Sequence, residues 1–134
     1  MSTVLFVVTG ARHWTLSDGT EHPTGYWAEE LVAPYRVFTG AGHEVVLATP
    51  GGVRPVVDEA SLAPDVNGGQ DGADEMRSAL KGISQLESPL TLADVDVSTY
   101  DAVFYPGGHG PMEDLAVNAS SAAVLTTTLA AGKP

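Results

Sequence analysis

With 134 residues, 17 acids against 6 bases and a formal net charge of −11, this is one domain's length of acidic chain, a balance that argues against nucleic acid or an anionic membrane surface as partner. It contains no cysteine, which removes disulfides, thiolate metal sites and a cysteine nucleophile from these residues. No run is long enough to span a bilayer, and the apolar start at residues 3–9 lacks the basic flank and cleavage site of a secretory signal, so a cytoplasmic location is expected.

Residues 4–8, Val-Leu-Phe-Val-Val, form a continuous β-branched and aromatic run, as expected of a strand covered on both faces. Residues 10–25 are polar and turn-rich and read as a long loop, which in a compact domain is functional or mobile. A helix is predicted over about residues 26–39, with Thr24 as candidate N-cap and Gly40 or Gly42 as the stop. On its wheel Trp27, Leu31, Pro34, Tyr35 and Phe38 share a face. Glu29 points away from that stripe and Glu30 sits at its edge, so Glu30 is the acid expected to be partly desolvated. Pro34 lacks a ladder donor and is expected to kink or divide the helix.

A second buried strand is predicted at residues 43–49, followed by the turn Pro50-Gly51-Gly52. Residues 53–70 read as a connector in which Asp58 or Ser61 caps a short turn. Residues 71–82 form a helix with Met76, Ala79, Leu80 and Ile83 as its apolar stripe. Residues 84–100 are a second connector, with residues 90–97 docking locally. A third strand covers 102–105. A last helix covers about 118–131, with Ala122, Leu125 and Leu129 on one face and Gly132 at its end. Trp27, Phe38, Met76 and Leu125 are taken as core.

Alternating strands and helices predict a three-layer, doubly wound sheet of flavodoxin-like order, in which the first three strands occupy positions 2-1-3. The outer side of the third strand would then be an unpaired apolar edge. On that ground the chain is expected to be the first part of a domain, incomplete at its C-terminus, with that edge paired by continuing chain or by another protomer.

The third strand stops on Pro106 and runs into Gly107, Gly108, His109 and Gly110. Open α/β sheets place ligands at such strand ends, and glycines there let backbone N–H groups approach a substrate oxygen. A bare Gly-Gly is also what any tight turn needs. Without a Gly-x-x-x-x-Gly-Lys or Gly-x-Gly-x-x-Gly pattern, a phosphate cradle is disfavoured. His109 has a near-neutral unperturbed pKa suited to a base, and a turn histidine bonded to backbone is an equal alternative. His13 and His22 fit no standard metal spacing and read as solvated loop residues. Trp14 suits a pocket mouth or loop packing equally.

Two of these stretches together resemble a known family. Thr24-Gly25-Tyr26-Trp27-Ala28-Glu29-Glu30-Leu31-Val32-Ala33-Pro34-Tyr35 and Tyr105-Pro106-Gly107-Gly108-His109-Gly110-Pro111-Met112 are similar to the paired motifs of the ThiJ/PfpI superfamily, the class I glutamine-amidotransferase-like proteins. Ala48-Thr49-Pro50-Gly51-Gly52 and Asp58-x-x-Ser61-Leu62 fit its heat-shock chaperone and glyoxalase III branch. The resemblance implies a flavodoxin-like α/β/α sandwich, commonly a homodimer. It also implies cofactor-free, cysteine-dependent chemistry on small reactive carbonyls, such as methylglyoxal to lactate, with deglycase and holdase roles. Glu30 matches the glutamate that hydrogen-bonds the nucleophilic thiol, Gly107 and Gly108 the glycines of the oxyanion site, and His109 the histidine bordering the pocket. The family's cysteine lies after the next strand, which would begin just past Pro134, so the nucleophile is expected from following sequence or a complementary polypeptide. The alternatives are a non-catalytic binding or chaperone-like module, and an amidase or peptidase of the same superfamily.

Overall fold

The structure, a computed structural model, describes residues 1–134. The apolar run at the start has no polar face to offer water, and it becomes an inner strand, β1 (Thr3–Val7), in which Leu5, Phe6 and Val7 are fully buried. A small antiparallel hairpin follows, β2 (His13–Thr15) with β3 (Glu21–Pro23). Then come α1 (Ala28–Gly40), β4 (Glu44–Thr49), α2 (Gln70–Lys81) and β5 (Leu90–Thr91). β6 (Ala102–Phe104), the short α3 (Gly110–Glu113) and α4 (Ala119–Ala130) complete the chain.

The main sheet is parallel throughout, in the order β5-β4-β1-β6. Strands β4, β1 and β6 have the expected 2-1-3 arrangement, and β5 is the local docking of the second connector onto the outer edge of β4. Register sets Val4 opposite Val45 and Ala102, and Phe6 opposite Leu47 and Phe104. Side chains alternate across the sheet. Val4, Phe6, Val8, Val45 and Leu47 therefore pack under α1 and α2, against Leu31, Val32, Ile83 and Leu86. Leu5, Val7 and Ala48 pack on the other side against Leu92, Tyr100, Leu115 and Val124. This is the flavodoxin-like three-layer α/β/α arrangement. β6 is the terminal strand, and on its free side the Val103 amide donates to the carbonyl of Pro134 at 3.0 Å.

The structure departs from the sequence reading in three places. α1 begins at Ala28 and not at Tyr26, because Tyr26 is held extended: its N–H donates to the Val56 carbonyl at 2.9 Å and its carbonyl accepts from Asp58 N–H at 2.8 Å. Thr24 does not cap the helix but donates its hydroxyl to Asp58 Oδ2 at 2.7 Å, and the Ala28 N–H is taken up by Ser61 Oγ at 3.0 Å. The helix runs through Pro34 unbroken. Residues 10–25 are not an unstructured loop, since they contain the β2–β3 hairpin. On α4 the inward residues are Ser121, Val124 and Thr128, while Ala122 is exposed and Leu125 and Leu129 are 44% and 74% exposed. The buried hydroxyls are satisfied locally: Thr128 donates to the Val124 carbonyl at 2.7 Å and Ser121 Oγ meets the Tyr105 hydroxyl at 2.9 Å. That satisfaction lets polar residues occupy the inward stripe, so Leu125 is a surface residue.

Candidate functional site

The turn after β6 takes its shape from what lies against it. Gly108 has a φ of +126°, and a Cβ there would stand 2.7 Å from the Gly25 carbonyl oxygen and 2.9 Å from the Trp27 nitrogen. A Cβ on Gly110 would stand 2.7 Å from Thr9 Cγ2 and 3.0 Å from that same Gly25 oxygen. Backbone meets backbone here, and only glycine leaves room. Hydrogen bonds close the seam, Trp27 N–H to the Gly107 carbonyl at 2.8 Å and Gly110 N–H to the Gly25 carbonyl at 3.3 Å.

The seam positions Glu30. In the first turn of α1, one turn past Trp27, its side chain comes back over the glycines. A Cβ on Gly107 would lie 2.7 Å from Glu30 Oε1 and 2.9 Å from Oε2, so the carboxylate rests on the Gly107 Cα where only hydrogen fits. Glu30 is exposed, which corrects the expectation of partial desolvation. It lies on the open face of the turn and not beneath the apolar stripe. The N–H groups of Gly107 and Gly108 donate to no acceptor in the chain. A carboxylate beside uncommitted amides can take a proton from an incoming nucleophile while the amides stabilise an oxyanion.

His109 is exposed just before α3, and its ring makes no hydrogen bond to backbone. It stacks on Trp14 with centroids 5.1 Å apart and planes 24° from parallel, and His22 meets it edge-on at 6.3 Å. The hairpin thus lies over the turn, which sequence reasoning missed. Glu113 holds it there, accepting from Thr15 N–H at 2.9 Å and from Thr15 Oγ at 2.8 Å. These two bonds, with His13 Nε2 at 3.3 Å, hold the Glu113 carboxyl below its ordinary range, the Thr15 backbone donation being the largest cause. His13 also lies 3.7 Å from Glu21, so it is pinned between two carboxylates and is not a free loop residue. Asp114 is the second anchor, accepting from Thr9 Oγ at 2.8 Å and from Gly10 N–H at 2.8 Å. It ties the end of β1 to the turn. Neither acid carries a signal in its local pattern, whereas the Asp18-Gly19 pair is a hairpin signal that would have revealed β2 and β3. No three His, Asp or Glu side chains converge as metal ligands, and the chain supplies no thiol.

The chain has known relatives in sequence and in fold. Residues 22–129 match the family described as ThiJ/PfpI family-like. The chain is 30% identical over 135 residues to Glyoxalase 3 of Candida albicans, an alignment covering 96% of this chain and 53% of that protein. It is 35% identical over 113 residues to the protein/nucleic acid deglycase HchA of Pseudomonas aeruginosa, covering 80% and 37% respectively. The chain therefore spans about half the length, or less, of these curated relatives. Among solved structures, Candida albicans glyoxalase III superposes with a TM-score of 0.73 at 29% identity, covering 98% of this chain and 54% of that one. The Rapid Encystment Protein 24 kDa of Francisella tularensis shares the fold, with a TM-score of 0.79 at 24% identity over 99% of this chain and 56% of that one. The family match takes in both Glu30 and the glycine turn, and the chain belongs to the ThiJ/PfpI family.

Proposed function

We propose that this chain supplies the carboxylate and the oxyanion donors of a ThiJ/PfpI catalytic centre acting on small reactive carbonyls, of glyoxalase III or deglycase type. The observation that carries this reading is the Glu30 carboxylate resting on Gly107 beside amides with no internal acceptor. The relatives named glyoxalase and deglycase support the substrate class. The thiol comes from polypeptide following Pro134 or from a complementary chain. The Val103-to-Pro134 hydrogen bond at 3.0 Å supports a strand continuing along β6.

In this reading the sulfur adds to a carbonyl carbon and the thiol proton passes to Glu30. The carbonyl π pair becomes an oxyanion facing the Gly107 and Gly108 amides, and reprotonation gives a hemithioacetal. His109, with Trp14 on its face, borders the pocket. Preorganised donors and a positioned base are each worth orders of magnitude in rate.

The test is lactate formation from methylglyoxal, without glutathione, by the complete protein. Glu30→Gln is expected to lower kcat by roughly 10²–10⁴-fold with little change in KM. A complete protein that turns over neither methylglyoxal nor glycated amines, or a Glu30→Gln variant with full kcat, defeats the reading.

A further inference from the structure

Positive charge is scarce in this chain, and most of it is gathered in one place. Of six Lys and Arg residues, four (Arg12, Arg54, Arg77 and Lys81) line a single cavity of about 540 Å³. The other two are engaged elsewhere, Arg36 with Glu75 at 3.4 Å and Lys133 with the Tyr100 carbonyl at 2.8 Å. The cavity lies between residues 54–57, α2 and the turn at residues 84–87, and none of Glu30, Gly107, Gly108 or His109 lines it. Its one lining carboxylate, Glu87, bonds Arg54 at 2.8 Å, and Arg77 bonds Glu59 outside the cavity at 3.2 Å. Arg12 and Lys81 have no ion-pair partner within the chain.

A second feature points to a ligand independently of charge. Tyr26 is only 4% exposed, yet it lines the cavity and its hydroxyl makes no hydrogen bond within the chain. No buried polar side-chain atom of the protein lacks a partner, so this hydroxyl opens onto the cavity. Burial pushes the phenol up to about 12, which keeps it a neutral donor across the physiological range. Val57, Leu62 and Leu86 supply apolar wall. The volume is that of a small-molecule site. Guanidinium groups match carboxylate and phosphate oxygens in planar, paired geometry. A compact acidic protein repels anions at long range, so a recess with four cations against one carboxylate is a local reversal of its field.

We propose that this cavity is a binding site for a small organic oxyanion, a carboxylate or phosphate group on a compact apolar body, with Arg12, Lys81 and the Tyr26 hydroxyl taking the anionic head. The body lies against Val57, Leu62 and Leu86. The site is separate from the glycine turn, and the proposal stands whether or not the Glu30 reading does.

Amide chemical shifts of the folded chain, titrated with phenylacetate, phenyl phosphate, phenylacetamide and inorganic phosphate, test it. At least one aromatic anion is expected to saturate with shifts confined to residues 12, 26, 54–57, 62 and 77–87. The neutral amide and inorganic phosphate should bind at least roughly tenfold more weakly. The tighter of the two aromatic anions identifies the head group. Arg12→Gln and Lys81→Gln, both at exposed positions, should each weaken binding roughly tenfold, and Tyr26→Phe, which keeps the ring in its place, should weaken it measurably with an unchanged spectrum. Binding should also fall as salt rises. The proposal is overturned if no anion saturates at millimolar concentration, if phenylacetamide binds as well as phenylacetate, if shifts map to residues 107–109, or if the three substitutions leave affinity unchanged.

Discussion

The glycine turn is held from two sides by different physics. Toward α1 it is fitted backbone to backbone: a Cβ on Gly108 or Gly110 would strike the Gly25 carbonyl, Gly25 is itself pressed against Val56 behind it, and two amides close the seam. Toward the hairpin it is held by side chains, Glu113 on Thr15 and His13, and Trp14 on His109. A close-packed backbone seam has no intermediate setting, since one added carbon must displace a whole segment. Charged and stacked surface contacts are graded, because water, salt and protons compete for them. The placement of Glu30 over Gly107 depends on the first kind of contact and the roof over His109 on the second. The two sides should therefore fail in different ways.

The largest effect is expected at Gly25. A Cβ there would lie 1.9 Å from the Val56 carbonyl oxygen, a clash that no rotamer relieves. Gly25→Ala should cost more than about 4 kcal/mol or prevent folding, as read by denaturant unfolding. Gly108→Ala, strained in φ and against the Gly25 carbonyl, should cost more than about 2 kcal/mol. Gly40, at the end of α1 with nothing within 4 Å of an added Cβ, supplies the contrast: Gly40→Ala should gain about 0.4–1 kcal/mol. Equal losses at all three would show that glycine content, and not the seam, governs the turn.

Those two sides also differed in legibility. Gly107, Gly108 and Glu30 stood out because a buried strand running into glycines, and an acid at the margin of a helical stripe, are local patterns. The sheet order followed from three apolar runs. The hairpin contacts did not stand out, because Glu113 and Thr15 are brought together by tertiary folding across 98 positions. Glu30's exposure was misjudged because its wheel position describes α1 alone and not the turn it overhangs. The face of α4 was misread for another reason. Its residues are Ala, Ser, Thr, Val and Leu on every side, so no period stands out, and the inward hydroxyls are satisfied by Val124 and Tyr105 in ways a wheel cannot display.

The hairpin side should yield more gently. Glu113 accepts both Thr15 bonds and faces His13, and all of this is at the surface. Glu113→Gln should leave the unfolding midpoint nearly unchanged, as expected of surface ion pairs, while amide exchange rises across residues 13–23. Unchanged exchange there would mean that the Trp14–His109 stack alone holds the roof.

Protonation should reproduce that variant reversibly. Because the folded-state pKa of Glu113 lies below its ordinary 4.5, the folded protein binds this proton less readily than the unfolded chain does. Its contribution is therefore complete above that ordinary value and is lost as pH falls through the lowered folded value. The backbone seam itself has no counterpart, since Gly25, Gly107 and Gly108 carry nothing to titrate. In a Trp27→Phe background, Trp14 is the only remaining tryptophan, and its emission should change on acidification below the ordinary carboxylate value. The same scan on Glu113→Gln should show no such step, because the glutamine amide does not ionise. A step that persists in the variant would transfer the acid response to Glu21 or Asp18 on the hairpin itself and remove Glu113 from the account.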